Sequence, residues 1–412
     1  KGKVWFSLID KIFADRTLQL AWETVQSNAG ACGVDGITVG HFGKDSQKRL
    51  LAVKEHLKRG TYQPRPVKRV MIPKLGSSEK RPLGIPTVTD RIVQTATRMV
   101  IEPVFEREFA EHSYGFRPGR GCKDALRRVD ELLQSGLHHV VDVDIKGYFD
   151  SIPHQRLMEL VREHIADGRV LDLIDSFLRQ GIMNQMGEVE LEANDEGTPQ
   201  GGVISPLLAN IYLNPLDHLM SRAGHQMVRY ADDMVILCPS ADAAETVLRT
   251  LREWAAQAGL ELHPEKTRVV DMGQPKASFD FLGYRFWRGK TSGCIRRFIR
   301  PKSVKKIKEA IRPLTRRTSG MSLAAIAEVL RQKLQGIYAY FKHADTSALS
   351  AMDGWIRGRM RSILRKRAGL RGRSRGRDHH RWSNDYFASI GLFSLEEARK
   401  LESKSLRKAA NC

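Results

Sequence analysis

Residues 138–272 alternate between runs of strand period and runs of helix period in an order that few folds accept: strand, helix, hairpin, helix, strand. HHVVDVDIKGYFD (138–150) alternates as a strand through Ile145, and a helix follows Pro153. VISPLLANIYLNPLDHLM (203–220) has the pattern of a strong amphipathic helix, and MVRYADDMVILC (227–238) is two short strands around a polar tip. AAETVLRTLREWAAQAGLEL (243–262) is a helix closed by Gly259, and TRVVDM (267–272) returns as a strand. That succession suits a split βαβ sheet with helices on one face, an α+β architecture.

The tip of the hairpin carries two adjacent acids, Asp232 and Asp233. Asp is at home in a tight turn, so a plain turn explains the pair if it stands alone. The flanking runs, however, are apolar enough to be buried, and carboxylates are depleted from such strands. A third acid, Asp144, lies near the end of HHVVDVDI, where the central strands of a split βαβ sheet bring their ends together. Close carboxylates repel unless a cation joins them. An all-oxygen set favours magnesium over zinc, and two such ions clamp the attacking and leaving oxygens of phosphoryl transfer. Asp142, two residues away on the same strand, is a weaker ligand candidate with a structural role as its alternative.

The charge supplies the substrate class. A formal net charge of +21 is suited to nucleic acid or an anionic membrane, and no apolar run approaches the ~20 residues that span a bilayer. Cys32, Cys122, Cys238, Cys294 and Cys412 are scattered with no Cys-x-x-Cys pair, which disfavours a zinc module and fits reduced thiols in the cytoplasm. Lys1 in place of a Met points to a trimmed or processed start.

Elsewhere the pattern predicts a helix over 8–28, a Gly-rich loop NAGACGVDGIT (28–38), a helix over 45–59 ended by Gly60, a strand over 67–74, an extended return over 76–86 and a helix over 89–109. SFDFLGYRFW (278–287) and IRRFIRP (295–301) pair as a hairpin. After Ser303, helices with basic faces dominate, over 303–311, 322–342 and 349–367. Between Gly354 and Arg381 stand 11 Lys/Arg and a single acid, Asp378. The change of character places a domain boundary near 290–302.

These motifs, in this order, resemble the group II intron-encoded reverse transcriptases of bacteria, over nearly the whole chain. YADD (230–233) is similar to the family's active-site box and DIKGYFD (144–150) to its first carboxylate motif. GTPQGGVISPLLANIYLNPLD (197–217) resembles the motif lining the nucleotide pocket. SYGFRPGRGCKDA (113–125) and IPKLGSSEKRPLGIPTVTDRIVQ (72–94) resemble the fingers, and FLGY (281–284) the primer grip. NAGACGVDGIT resembles the N-terminal extension, and GIYAYFK (336–342) and NDYFASIGLFSLEEA (384–398) the maturase and tail regions. The set in order is specific where any one motif is weak. The ending at Cys412 without a Cys-rich endonuclease resembles the compact forms that lack that domain.

The resemblance implies a right-hand polymerase with fingers and a split-βαβ palm, followed by a helical thumb/maturase domain. It divides the chain into an N-terminal extension and start of fingers (1–60), fingers and palm (61–290), thumb/maturase (291–378) and a short basic tail (379–412). It implies Asp144, Asp232 and Asp233 as catalytic acids and metal ligands, with the Ile145 carbonyl as a further ligand to two magnesium ions. Lys74, Arg81, Arg117, Ile145, Phe149 and Gln200 would form the nucleotide site. Phe149 would be a ring that excludes a 2′-hydroxyl, with simple core packing as its alternative and Tyr148 as its rival. Arg117 would lie near template or nucleotide, with a buried ion pair as the alternative. Gly201 and Gly202 would let the backbone approach a base pair. Lys266 matches a lysine that protonates pyrophosphate, a surface lysine being the alternative. Phe281, Leu282, Gly283 and Tyr284 would grip the primer, and Arg357, Arg361, Arg365, Lys366, Arg371 and Arg373 would bind RNA.

The function implied is RNA-directed DNA synthesis together with maturase binding of group II intron RNA for splicing and retrohoming. Its partners would be intron RNA, an RNA template with a DNA or RNA primer, dNTPs and target DNA, in a cytoplasmic, nucleoid-associated ribonucleoprotein away from membranes. An RNA-binding maturase without polymerase activity, or a domesticated relative serving defence or repair, are the alternatives. The retained acids favour the polymerase.

Overall fold

The computed structural model describes residues 4–73, 80–184, 187–190, 195–199, 201–290, 293–372 and 375–410. Among the described residues, eight strands lie in the first of two compact units, Lys1–Asp271: β1 (Val67–Pro73), β2 (Lys80–Ile85), β3 (His139–Val143), β4 (Ile182–Met183), β5 (Val189–Glu190), β6 (Gln226–Tyr230), β7 (Asp233–Cys238) and β8 (Arg268–Asp271). β3, β6, β7 and β8 form one sheet in the order β6-β7-β3-β8, every neighbour antiparallel. β3 and β6 therefore run parallel with β7 inserted between them, the split βαβ arrangement expected from the sequence. β7 is central, and Met234 through Cys238 are all buried, which is why that run reads apolar without alternation. The helix Ala241–Gln257 packs on β3 and β7, burying Val247, Leu248 and Leu251, and Ser240 caps it by accepting from the Ala243 amide at 3.2 Å.

The helix Ser205–Arg222 carries Pro206 in its first turn, where a missing amide is tolerated. Its sequence promises one apolar face, yet Leu207 through Leu213 are all buried. It is a core helix surrounded by protein, and its Asn210 and Asp217 are buried with it. β1, β2, β4 and β5 form a second sheet in which β1 and β2 pair antiparallel from Lys68↔Ile85 to Pro73↔Lys80.

The single helix expected over 8–28 is two, Ile9–Ile12 and Asp15–Asn28. Asp167, distant in sequence, accepts from the Leu8 and Ile9 amides at 2.7 and 2.9 Å and fixes the first piece at its own angle. No local pattern could reveal that partner.

The second unit, Met272–Cys412, opens with a meander of β9 (Ser278–Phe281), β10 (Tyr284–Arg288) and β11 (Ile295–Ile299), ordered β11-β10-β9. The expected hairpin of 278–287 with 295–301 thus contains a second hairpin, closed inside FLGY by Leu282 and Gly283 at φ +47° and +78°. The meander packs on the following helices: the Tyr284 ring lies 5.2 Å from that of Phe341, and the Tyr340 hydroxyl donates to the Leu282 carbonyl at 2.9 Å. The unit therefore begins earlier than the change in composition near 290–302. Its longer helices are Pro301–Ile311, Leu323–Phe341, Thr346–Arg367 and Leu395–Ala410. Buried Asp353 ties the last of these to the third by accepting from the Leu395 and Glu396 amides at 3.1 and 3.0 Å. Among the described residues no helix is long and apolar enough to cross a membrane.

Candidate active site

β6 and β7 close at the pair Tyr230↔Asp233, leaving Ala231 and Asp232 as a two-residue loop. Ala231 sits at φ +58°, a conformation that a non-Gly residue adopts only under constraint. The constraint is visible. Arg229, wholly buried, donates to both Asp217 carboxylate oxygens (Nε 2.7 Å, Nη2 2.5 Å), and its Nη1 donates to Asn210 Oδ1 and to the Ala231 carbonyl, each at 2.9 Å. Burial works against the guanidinium charge, but the Asp217 carboxylate outweighs it and holds the Arg229 pKa above the ordinary arginine value.

The other side of the loop is held by SYGF. The Arg229 amide donates to the His112 carbonyl at 3.0 Å and the Tyr114 amide to the Arg229 carbonyl at 2.9 Å. Asn210 Nδ2 donates to the Gly115 carbonyl at 2.7 Å. A Cβ on Gly115 would stand 2.9 Å from the Tyr230 carbonyl carbon and closer still to the Ala231 nitrogen. Gly115→Ala is therefore expected to displace the Tyr230–Ala231 peptide, and Asp232 with it, and to lower any activity of the site by more than about tenfold, as ångström-scale misplacement does. Turnover of the purified variant, compared with wild type at equal folded fraction, checks it.

Asp144 follows β3 directly. The last β3–β7 pair is Val143↔Met234, so Asp144 and Asp233 are the next positions on neighbouring strands, with Asp232 in the adjoining loop. All three acids are half-exposed. The turn HPEKT anchors the Asp144 backbone, the His263 amide donating to its carbonyl at 2.8 Å, and Lys146 donates to the Glu261 carbonyl at 2.9 Å. These two bonds flank Ile145 and use neither of its polar groups. Lys266 Nζ lies 3.4 Å from both Asp144 carboxylate oxygens. Asp142 is ion-paired at 3.5 Å with Arg268 of β8, which gives it a structural use. Asp232 is near enough to Tyr148 to add to the rise that burial imposes on that phenol.

Among the described residues no three His, Cys, Asp or Glu side chains form a ready-made metal cage. The donor set nevertheless suits a hard cation. Magnesium is ordinarily held by one or two carboxylates with substrate phosphates and water rather than by a closed protein cage. A cation, the Lys266 ammonium, already sits on Asp144.

Tyr148 is buried and donates to the Ala209 carbonyl at 2.5 Å, whereas Phe149 is half-exposed, its ring 5.5 Å from that of Tyr148. Lys74, Gln200 and Arg373 lie outside the described residues. The Arg81 backbone lies in β2 opposite Ile72. Gly201, at φ +112°, stands so close to the Gly84 carbonyl that no side chain fits. The Val203 amide donates to Gln94 Oε1 at 2.7 Å.

Three expectations need correction. Arg117 is buried and saturated: it chelates Glu106 through Nε (3.0 Å to each oxygen) and Nη2 (2.6 Å), and Nη1 donates to the Ala110 and Ser113 carbonyls. It is a structural ion pair rather than a nucleotide contact. Arg361 and Arg365 are likewise buried and face inward. Arg361 donates to the Trp382 carbonyl at 2.9 Å, and Arg365 to Asp378 at 2.6 Å. Arg357 is half-exposed. Lys366 and Arg371 are exposed and line, with Arg317, a cavity of about 470 Å³. In FLGY, Phe281, Leu282 and Tyr284 are buried, and the Gly283 carbonyl accepts from Arg300 N (3.0 Å) and Ser303 Oγ (3.1 Å).

The reverse transcriptase (RNA-dependent DNA polymerase) family matches residues 72–286, more than half of the chain. The chain belongs to that family. Residues 304–382 match the maturase-specific domain of group II introns, so the family member is of the group II intron-encoded kind. It is 40% identical over 200 residues to the group II intron-encoded protein LtrA of Lactococcus lactis, 48% of this chain and 32% of that protein. It is 33% identical over 299 residues to protein YkfC of Escherichia coli, 63% of this chain and 76% of that one. The match thus spans about a third of LtrA. A solved partial Cas6-RT-Cas1–Cas2 complex aligns with 61% of this chain and 42% of its own at 24% identity and a TM-score of 0.40.

Proposed function

We propose that this protein is an RNA-directed DNA polymerase that also binds group II intron RNA as a maturase. The observation that carries the reading is the meeting of Asp144 with Asp232 and Asp233 at the adjoining ends of β3 and β7, in a loop held rigid from both sides. Asp144, Asp232 and the Ile145 carbonyl would hold two magnesium ions, with Asp233 contributing less. Bound there, magnesium supplies charge neutralisation for the attacking and leaving oxygens of nucleotidyl transfer. The chain's own residues do the rest. Arg229 fixes the loop, the basic β1–β2 hairpin with Lys74 and Arg81 positions the triphosphate, and the Gln200–Gly202 loop admits the templated base pair. Lys266, already beside Asp144, is placed to hold a proton for the pyrophosphate leaving group.

Extension of a DNA primer on an RNA template, with dNTPs and magnesium, tests the reading. Product that disappears with a chelator is expected, and a folded wild type that makes none overturns it. Phe149→Ala is expected to raise ribonucleotide incorporation relative to deoxyribonucleotide by about tenfold or more, since a rigid ring under the sugar is removed. Unchanged discrimination in single-nucleotide kinetics would place the gate elsewhere.

The second unit supplies the RNA surface. Lys366 and Arg371 converge with Arg317 on one open cavity, a place for backbone phosphate. Arg357 stands on the same helix as Lys366. Primer contact at FLGY falls to the half-exposed Gly283 backbone, the only one of the four not buried. Target DNA and the ribonucleoprotein setting follow from the same reading.

A further inference from the structure

Phe116 is the least economical residue in the first unit. It holds φ +57°, in the left-handed region where a bulky side chain is strained, and half of it, 50%, is exposed. Its neighbours are immovable. Gly115 is packed against the Tyr230–Ala231 peptide with no room for a Cβ, and Arg117 is locked by Glu106 and two carbonyls. Pro118 then fixes the exit of the chain. The backbone at 116 is thus set from both sides, and a glycine would adopt it without strain. An exposed aromatic ring there gives the fold little burial in return. The ring lies 6.3 Å from that of Tyr230, centroid to centroid, inclined at 44°. It is therefore presented at the edge of the loop that bears Asp232.

We propose that Phe116 is a stacking platform for a nucleobase beside the YADD loop, either of the primer–template or of the incoming nucleotide. A flat, polarisable ring with an open face suits the π-face of any base without reading its sequence. Local strain retained with no internal benefit marks a residue kept for a ligand. The inference rests on the polymerase reading for the location of the nucleic acid, and its test uses binding and melting as well as turnover.

Three variants separate the roles. Phe116→Gly relieves the backbone and removes the ring, so its melting temperature is expected to equal or exceed that of wild type. Its affinity for a DNA-primed RNA template carrying 2-aminopurine at the primer end should fall about tenfold, the loss of one stacked base. The fluorescence quench on binding should fall with it. Phe116→Ala should match that loss of affinity, and Phe116→Trp should restore affinity and quench. If primer–template affinity holds but the KM for dNTP rises about tenfold, the stacked base is that of the nucleotide. A Phe116→Gly protein that melts lower, with both affinities unchanged, would make Phe116 a packing residue and overturn the proposal. A wild type that binds the duplex without extending it would contradict the polymerase reading while leaving the binding comparison valid.

Discussion

Asp232→Asn is expected to reduce RNA-templated DNA synthesis by roughly a thousandfold or more, because a carboxylate that anchors cationic charge at the reacting phosphate is worth several kcal/mol. Asn preserves the shape of the side chain, so the loop need not move. Ala231 remains tied to Arg229, and β6 and β7 still close at Tyr230↔Asp233. Affinity for structured intron RNA should stay within about twofold of wild type, since the proposed RNA surface lies in the other compact unit. Single-turnover extension beside filter binding checks both halves. Residual synthesis within about tenfold of wild type would remove Asp232 from the metal site. A parallel loss of RNA binding would mean the substitution had damaged the fold.

The second large effect concerns stability. Arg229→Ala leaves the Asp217 carboxylate, 4% exposed, buried without its bidentate partner. Breaking a buried pair from one side costs about 3–5 kcal/mol. Chemical denaturation should show a loss of that size. Arg229→Lys should recover only part, because an ammonium cannot reproduce the planar fork that reaches Asp217, Asn210 and the Ala231 carbonyl together. Replacing both partners, Arg229→Met with Asp217→Leu, removes the buried charges and should return most of the stability. It should not return synthesis, because the Ala231 carbonyl still lacks its donor. Recovery of full activity in the double variant would show that Arg229 serves folding alone.

The palm was legible because its signals are local. Period-two runs at 138–145 and 227–238 fix the strands, and their acids sit at the ends where a split βαβ sheet must bring them together. The network behind the loop was not, although each member lay inside a quoted motif. Asn210 and Asp217 are polar residues seven apart within the apolar stretch of their helix, so they share a face and need buried partners. That need was the available signal for Arg229 and Gly115. The arginines of the basic helix show the opposite error. Arg357, Arg361 and Arg365 recur every four residues and suggest one phosphate-binding stripe. The chain then folds back, and Asp378 with the Trp382 carbonyl covers Arg365 and Arg361. A helical period shows which residues share a face and is silent on whether water or protein lies against it.

The central claim is that Asp144 and Asp232 jointly hold the metal ions of nucleotidyl transfer. Counting bound manganese by electron paramagnetic resonance, in a complex stalled on a chain-terminated primer with the next dNTP, tests it most directly. Two ions per wild-type complex and at most one in Asp232→Asn are the predicted result. Equal counts in both proteins would contradict it.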